Sequence, residues 1–134
     1  MSLIVVGTMA FDNIETPFGT AEKIVGGSAT YVAYTASNFI NDVKQVSIVG
    51  YDFPEEELAG LAARGVALEG VLVVEDKKSF FWSGRYHLDM NTRDTLVTDL
   101  NVLADFETTV EETVNGIPKE EPVLIKSARK KESV

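Results

Sequence analysis

The 134 residues are the length of a single domain, and their 45% hydrophobic and 25% charged content is typical of a globular protein. The formal net charge of −9 disfavours nucleic acids and anionic membrane surfaces as partners, because both carry the same sign of charge. Cysteine is absent, which excludes disulfides, thiolate metal sites and cysteine nucleophiles.

Targeting signals are not evident in the sequence. No apolar run approaches the ~20 residues that a membrane-spanning helix needs. The start, MSLIVVG, has neither the basic region nor the cleavage site of a signal peptide. We therefore expect a cytoplasmic protein.

The first forty residues predict a strand, a hairpin and a helix. Leu3 to Gly7 is a continuous apolar run ended by glycine, which is typical of a buried strand in a parallel sheet. Residues 8–25 contain two short strand-like pieces around the turn TPFG. Two glycines, Gly26 and Gly27, then precede small and apolar residues at helical spacing. Ser28 is the predicted N-cap of this helix.

The next segment continues the alternation of strands and helices. Val43–Gly50 and Gly70–Asp76 are predicted to be buried strands. Between them, Pro54–Gly65 predicts a helix, with proline and three glutamates in its first turn and glycine at its end. Strands alternating with helices indicate an α/β layered domain.

Two later segments have the period-two pattern of half-buried strands. Ser79–Asp89 and Asp94–Val102 both alternate apolar and polar residues, and MNTR between them predicts a turn. We interpret them, together with the strand-like pieces in residues 8–25, as a small antiparallel sheet with one covered face. From Glu107 the pattern fails, and we expect residues 107–134 to be an atypical tail with a disordered end.

The glycine pair and Asp12 are the first candidates for a functional site. The pair would let a ligand approach the amides at the start of the helix, or it would simply form a tight turn. Asp12 follows the first strand at the end where α/β proteins bind ligands, so its carboxylate is a candidate acceptor for substrate hydroxyls. The alternative for Asp12 is a solvated turn residue.

The alternating strands carry the remaining candidates. Arg85 would contact a substrate phosphate or pair with a neighbouring carboxylate. Trp82 is expected to pack under its sheet, the alternative being that it stacks on a ligand, and His87 is expected to be exposed without a catalytic role. The carboxylates of Asp52 and the following glutamates are interpreted as a solvated helix start, so we assign no metal site and no catalytic residue.

Three stretches together resemble the N-terminal part of the ribokinase-like, or PfkB, carbohydrate kinases. They are LIVVGTMAFDNI, VGGSATYVAYTAS and VSIVGYDFPEEELAGLAARGV, and the resemblance extends over residues 3–106. It implies part of an α/β three-layer sandwich with a β-lid formed by residues 8–25 and 79–102. It also implies that Asp12 binds sugar hydroxyls and that Gly26 and Gly27 open a helix beside the sugar. The family also has a strand that ends in Gly-x-Asp before a helix, and Gly50 and Asp52 match this pattern.

The resemblance also implies a reaction, ATP-dependent and Mg²⁺-dependent phosphoryl transfer to a sugar or nucleoside hydroxyl. Tyr31 stands where many members have an asparagine that contacts the sugar. Ala10, two residues before Asp12, stands where many members have a second asparagine. The resemblance therefore does not imply which sugar is bound. The family's ATP site and catalytic base lie in a C-terminal Asp-x-x-Gly-Ala-Gly-Asp motif, which this sequence lacks. We therefore expect an N-terminal fragment that is inactive alone. The alternative is a non-catalytic module that binds a small ligand or forms a homodimer through the lid.

Overall fold

The computed structural model describes residues 1–106 and the backbone of residues 123–126. A 3₁₀ helix, Asn101–Asp105, follows the seventh strand. The regular elements, in chain order, are β1 Ser2–Val6, β2 Ala10–Thr16, β3 Gly19–Gly26, α1 Ser28–Ala36, β4 Asp42–Gly50, α2 Glu55–Ala63, β5 Val66–Val74, β6 Phe80–Tyr86, β7 Arg93–Asp99 and β8 Val123–Lys126.

The core sheet has the strand order β5-β4-β1-β8, and all three of its pairings are parallel. Helices α1 and α2 pack on one of its faces, where Ala29, Ala33 and Leu61 join Leu3 and Val5 in the main hydrophobic core. A smaller cluster on other residues of β1 and β4 packs against Phe106. The α/β class predicted from the sequence is confirmed.

The lid sheet has the strand order β3-β2-β6-β7. The sequence predicted that it would be antiparallel, and this is wrong for one pairing: β2 and β6 run parallel. Its outer pairings, β2 with β3 and β6 with β7, are antiparallel as predicted. A parallel pairing follows from topology, because each central strand belongs to a different hairpin and both hairpins leave the core sheet in the same direction.

Three local predictions need correction. Gly27, not Ser28, is the N-cap of α1, and it makes no side-chain capping bond. Strand β5 begins at Val66, four positions before the predicted start, because Gly65 has the positive φ of 84° that ends α2 directly before the strand. The covered face predicted for β7 is absent within the described residues, since all seven residues of that strand are exposed.

The predicted tail is described only in part. Val123–Lys126, which lies within the segment predicted to be an atypical tail, forms β8 and pairs in parallel with β1, so this run is a strand of the core sheet. A short apolar run in a polar context gave no periodic signal, and its partner strand lies about 120 positions away. The disordered end expected for the tail lies outside the described residues.

Candidate ligand-binding site

A cavity of about 470 Å³ lies between the lid sheet and the start of α1. Its volume is within the range of about 300–1,000 Å³ that is usual for small-molecule sites. It opens beyond the carboxyl end of β1, the position at which open α/β sheets bind ligands. The lining residues come from the lid sheet, from the loops that follow β1 and β3, and from α1: Thr8, Ala10, Asp12, Gly27, Ser28, Tyr31, Phe80, Trp82, Tyr86 and Arg93.

Asp12 lies in this cavity with its carboxylate against Gly26. A Cβ at Gly26 would lie 2.9 Å from Asp12 Cγ and would overlap the carboxylate oxygen Oδ2. Glycine at this position therefore provides the space in which the Asp12 carboxylate sits. Asp12 has the register partners Ile24 on β3 and Trp82 on β6, so it occupies the middle of the lid sheet.

A β-bulge follows Asp12 along the β2–β3 pairing. The register shifts between Asp12 and Ile14, and Lys23 on β3 has the left-handed φ of 49°. The backbone N–H of Lys23 donates to Asn13 Oδ1 at 2.6 Å, which holds the extra residue in place. Bulges bend a strand and change the direction of nearby side chains, and they are frequent next to binding sites.

Gly27 is required for a different reason from Gly26. Its φ of 93° lies in the left-handed region, and a Cβ would lie 2.8 Å from the carbonyl carbon of Thr8. Beside it, the backbone N–H groups of Ser28 and Ala29 donate to Thr8 Oγ1 at 3.3 Å and to Thr8 O at 3.0 Å. These bonds join the end of β1 to the first turn of α1, so the cavity floor is a fixed backbone surface.

Aromatic side chains of β6 form the wall of the cavity. Phe80 and Trp82 are 5% and 7% exposed and pack with Ala10 of β2, their neighbour across the parallel pairing. Trp82 Nε1 donates to Thr95 Oγ1 of β7 at 3.3 Å, which fixes the indole ring. Gly84 lies under that ring, where a Cβ would overlap it. The prediction that Trp82 packs on its sheet holds, and the same residue also lines the cavity.

Arg85 lies outside the residues that line the cavity. Its Nε donates to Glu15 Oε2 at 3.0 Å, and both side chains are about half exposed. This is the second of the two predicted alternatives, pairing with a neighbouring carboxylate. The cavity contains Arg93 instead, which is the register partner of Tyr86. Arg93 makes no ion pair or hydrogen bond with the side chains that the structure describes.

The structure thus brings together Asp12, Gly27 and Tyr31 at the cavity, with Gly26 directly behind Asp12. Tyr31 is 60% exposed, at the cavity rim. The sequence analysis did not identify Thr8, Phe80, Tyr86 or Arg93 as lining residues. The alternation of β6 could have indicated Phe80 and Tyr86 as lining residues, because they lie on the same face of the strand as Trp82.

His87 is exposed, as predicted, and its Nε2 lies 2.8 Å from Asp94 Oδ2. Within residues 1–106, no three histidine, aspartate or glutamate side chains are grouped so that they could hold a metal ion. None of the described helices has the length and apolar character needed to cross a membrane.

Comparison with solved structures identifies the class of fold: it is part of the fold of ribokinases and nucleoside kinases. The Burkholderia thailandensis nucleoside kinase in complex with inosine superposes with a TM-score of 0.66 at 22% identity, over 80% of this chain and 39% of that one. For the Cryptococcus neoformans ribokinase in complex with ADP the TM-score is 0.62 at 17% identity, over 75% of this chain and 35% of that one. The Methanocaldococcus jannaschii nucleoside kinase, an archaeal member of the ribokinase family, gives 0.60 at 18% identity, over 81% and 40%.

The chain spans about two fifths of the length of these kinases. No protein-family model matches the sequence, and no curated protein matches it. The identities are low, so these comparisons establish the fold.

Proposed function

We propose that this chain carries the sugar- or nucleoside-binding side of a ribokinase-like kinase. The observation that supports this most directly is the Asp12 carboxylate, which lies in a 470 Å³ cavity in the space left by Gly26. A carboxylate accepts hydrogen bonds from vicinal hydroxyls, and bonds to a charged group contribute about 1.5–3 kcal/mol each. The aromatic wall of Phe80 and Trp82 would cover the apolar face of a sugar ring or a base.

Arg93 and Tyr31 are proposed as further contacts at the rim of the cavity. Arg93 takes the place that the sequence analysis gave to Arg85, because it lines the cavity whereas Arg85 is paired with Glu15. A guanidinium group offers five N–H donors, which suit the oxygens of a hydroxylated ligand.

The phosphoryl donor and Mg²⁺ are assigned in this proposal to a part of the kinase fold that the chain does not contain. Two observations support this: the chain covers 35–40% of the kinases compared above, and the Asp-x-x-Gly-Ala-Gly-Asp motif is absent from the sequence. Phosphoryl transfer depends on positioning and on electrostatic stabilisation of the transferred group, so a chain without the base and anion-binding glycines has no means to catalyse it. We expect no sugar-dependent or nucleoside-dependent ATP turnover from the isolated chain in a coupled assay.

Calorimetric titration with inosine and with ribose tests the binding proposal. Asp12→Asn should weaken the binding of whichever ligand is bound about tenfold or more, because the amide offers one acceptor oxygen without charge. Asp42→Asn is the matched control, since Asp42 is at the opposite end of the core sheet, at the start of β4. Equal affinity of the Asp12→Asn variant and the unaltered chain would refute the assignment of Asp12.

A second candidate function is a non-catalytic module that forms a homodimer through the lid sheet. It is supported by β7, an edge strand that exposes Leu96 and Val97 by 45% and 42%. Exposed edge strands with apolar residues are prone to pair with another strand. Light scattering after size exclusion gives the mass directly, and a monomer whose mass does not change with concentration would exclude this candidate.

A further inference from the structure

The lid sheet is joined to the core sheet at a second place, away from the cavity floor. The segment Lys77–Ser79, which enters β6, lies against the turn that follows β4. There Gly50 N–H donates to Ser79 Oγ at 2.8 Å, and Ser79 N–H donates to Asp52 Oδ1 at 2.7 Å. Tyr51 N–H donates to the carbonyl oxygen of Lys77 at 3.1 Å.

The chain that leaves the lid sheet is bonded to the same segment. Asn101 Nδ2 donates to the carbonyl oxygen of Ser79 at 2.9 Å, and Val102 N–H donates to that of Lys78 at 3.1 Å. The ion pair between Lys77 Nζ and Asp105 Oδ2 closes this side at 2.6 Å. The segment that enters the β6–β7 hairpin and the segment that leaves it are therefore bonded to each other at Lys77–Ser79.

The centre of this junction, at Ser79 and Gly50, is buried and closely packed, whereas Lys77 and Lys78 are exposed. Ser79 is 1% exposed, and Gly50 is buried in a position where a Cβ would overlap the backbone of residues 77–79. All three polar groups of Ser79 have partners. Its hydroxyl and its backbone N–H bond to Gly50 and Asp52 on one side of the segment, and its carbonyl oxygen accepts from Asn101 on the other. Asp52, which the sequence analysis interpreted as part of a solvated helix start, is thus a hydrogen-bond acceptor for the lid.

The junction is next to the cavity in sequence. Phe80, the first wall residue, directly follows Ser79, and Trp82 is two residues further along the same face. The β2–β6 pairing sets Trp82 relative to Asp12 within the lid sheet. It does not set the inclination of the whole lid sheet to α1 and the core sheet. That inclination depends on three sets of contacts: the packing of Phe11 and Phe81 in the main hydrophobic core, the bonds of Thr8 to the start of α1, and this junction.

We propose that Asp52 and Ser79 are positioning residues that fix the inclination of the lid sheet over the cavity. This inference rests on the proposed function for its effect on ligand affinity. Its structural part concerns the ligand-free protein and can be tested separately. Asp52 acts by the acceptor oxygen that it offers to the Ser79 amide, so its charge is not required.

The experiment compares Asp52→Ala and Ser79→Ala with the unaltered chain in the absence of ligand. Trp82 is the sole tryptophan, so its fluorescence and its quenching by acrylamide report the lid wall alone. We expect both variants to increase the quenching constant and to speed hydrogen exchange of the amides in β6 about tenfold, the factor that corresponds to one lost buried hydrogen bond. The affinity for inosine should fall, with the stoichiometry of binding unchanged.

Two control variants separate positioning from general destabilisation. Asp52→Asn keeps an acceptor oxygen, so its acrylamide quenching constant and the hydrogen-exchange rates of its β6 amides should equal those of the unaltered chain. Ser47→Ala removes a buried hydroxyl of the core sheet, which donates to Gly7 O at 2.7 Å, and should lower the melting temperature without changing Trp82 quenching.

The outcomes distinguish the two proposals. Unchanged quenching and exchange in both Asp52→Ala and Ser79→Ala would overturn the positioning role, whatever the ligand data show. If these change as expected but the unaltered chain binds neither inosine nor ribose, the positioning role stands and the proposed function fails. If Asp52→Asn raises Trp82 quenching and β6 hydrogen exchange as much as Asp52→Ala does, the role given to the acceptor oxygen is wrong.

Discussion

Adjacent glycines with different functions should respond differently to the same substitution. Gly26 faces a side chain, because an added Cβ would overlap the Asp12 carboxylate. Gly27 faces a backbone, because its Cβ would overlap the carbonyl of Thr8, and its φ of 93° is unfavourable for any residue with a side chain. We predict that Gly26→Ala impairs ligand binding and that Gly27→Ala impairs stability.

The magnitudes follow from what can move. In Gly26→Ala the atoms that have to move belong to the end of the Asp12 side chain, which can rotate, but the carboxylate would then leave the position from which it contacts a ligand. The loss of one hydrogen bond to a charged group is about 1.5–3 kcal/mol, which weakens binding about 10-fold to 100-fold. In Gly27→Ala the backbone conformation, with φ of 93° and ψ of 140°, costs about 1–3 kcal/mol for a residue with a side chain, and the overlap with the Thr8 backbone adds about 1–3 kcal/mol.

Thermal unfolding and calorimetric titration with inosine would separate the two effects. Gly27→Ala should lower the melting temperature by roughly 10 °C, and Gly26→Ala by far less. Gly65→Ala is the control for the conformational term, because Gly65 has a φ of 84° but its nearest neighbour would lie 4.0 Å from the added Cβ. Equal melting temperatures for the Gly26 and Gly27 variants would refute this reasoning, as would a Gly27 variant no less stable than the Gly65 variant.

Three further predictions concern other parts of the molecule. Gln45 is fully buried, and neither of its side-chain amide atoms has a hydrogen-bond partner among residues 1–106, so Gln45→Met should raise the free energy of unfolding by about 1–2 kcal/mol in urea titrations. Arg93→Ala should weaken inosine binding about tenfold, whereas Arg85→Ala should leave the affinity unchanged, since its exposed ion pair with Glu15 lies outside the cavity. Hydrogen bonds from Thr92 lower the pKa of Asp89 in the β6–β7 turn below its ordinary value of 3.8. The stability that the carboxylate gives the turn is therefore present above pH 3.8 and is lost as the pH falls through the folded-state pKa. An NMR titration of Asp89 should show the lowered midpoint, and Thr92→Ala should raise it.

Sequence reasoning was most successful where one local pattern determines one element. The continuous apolar run of β1, the turn between β2 and β3 and the capping pattern of α2 each predict the observed element. The family resemblance implied that Asp12 and the glycine pair lie beside the same ligand; the structure places the Asp12 carboxylate against Gly26, and their role in binding stays a prediction.

The remaining features depend on contacts that no local pattern contains. Arg93 lines the cavity because it is the partner of Tyr86 in the pairing of β6 with β7, whose register shifts between Ser83 and Gly84. The parallel pairing of β2 with β6 was missed because alternation identifies a strand but not its partner. Asp52 was misinterpreted for the same reason, since its partner Ser79 lies 27 positions further along the chain.

The pairing of β2 with β6 has a consequence for the order of folding. Glu15 and Arg85, which face each other across this pairing, are 70 positions apart, and β1, α1 and the β4–α2–β5 unit have to be arranged before the two hairpins can meet. Closing so long a loop is entropically costly, and contacts of this range form slowly. The lid sheet should therefore assemble after the pairing of β1 with β4, whose partners are 40 positions apart. Trp82, which becomes buried when β6 docks on β2, would then report a later kinetic phase than the formation of the helices, which far-ultraviolet circular dichroism detects.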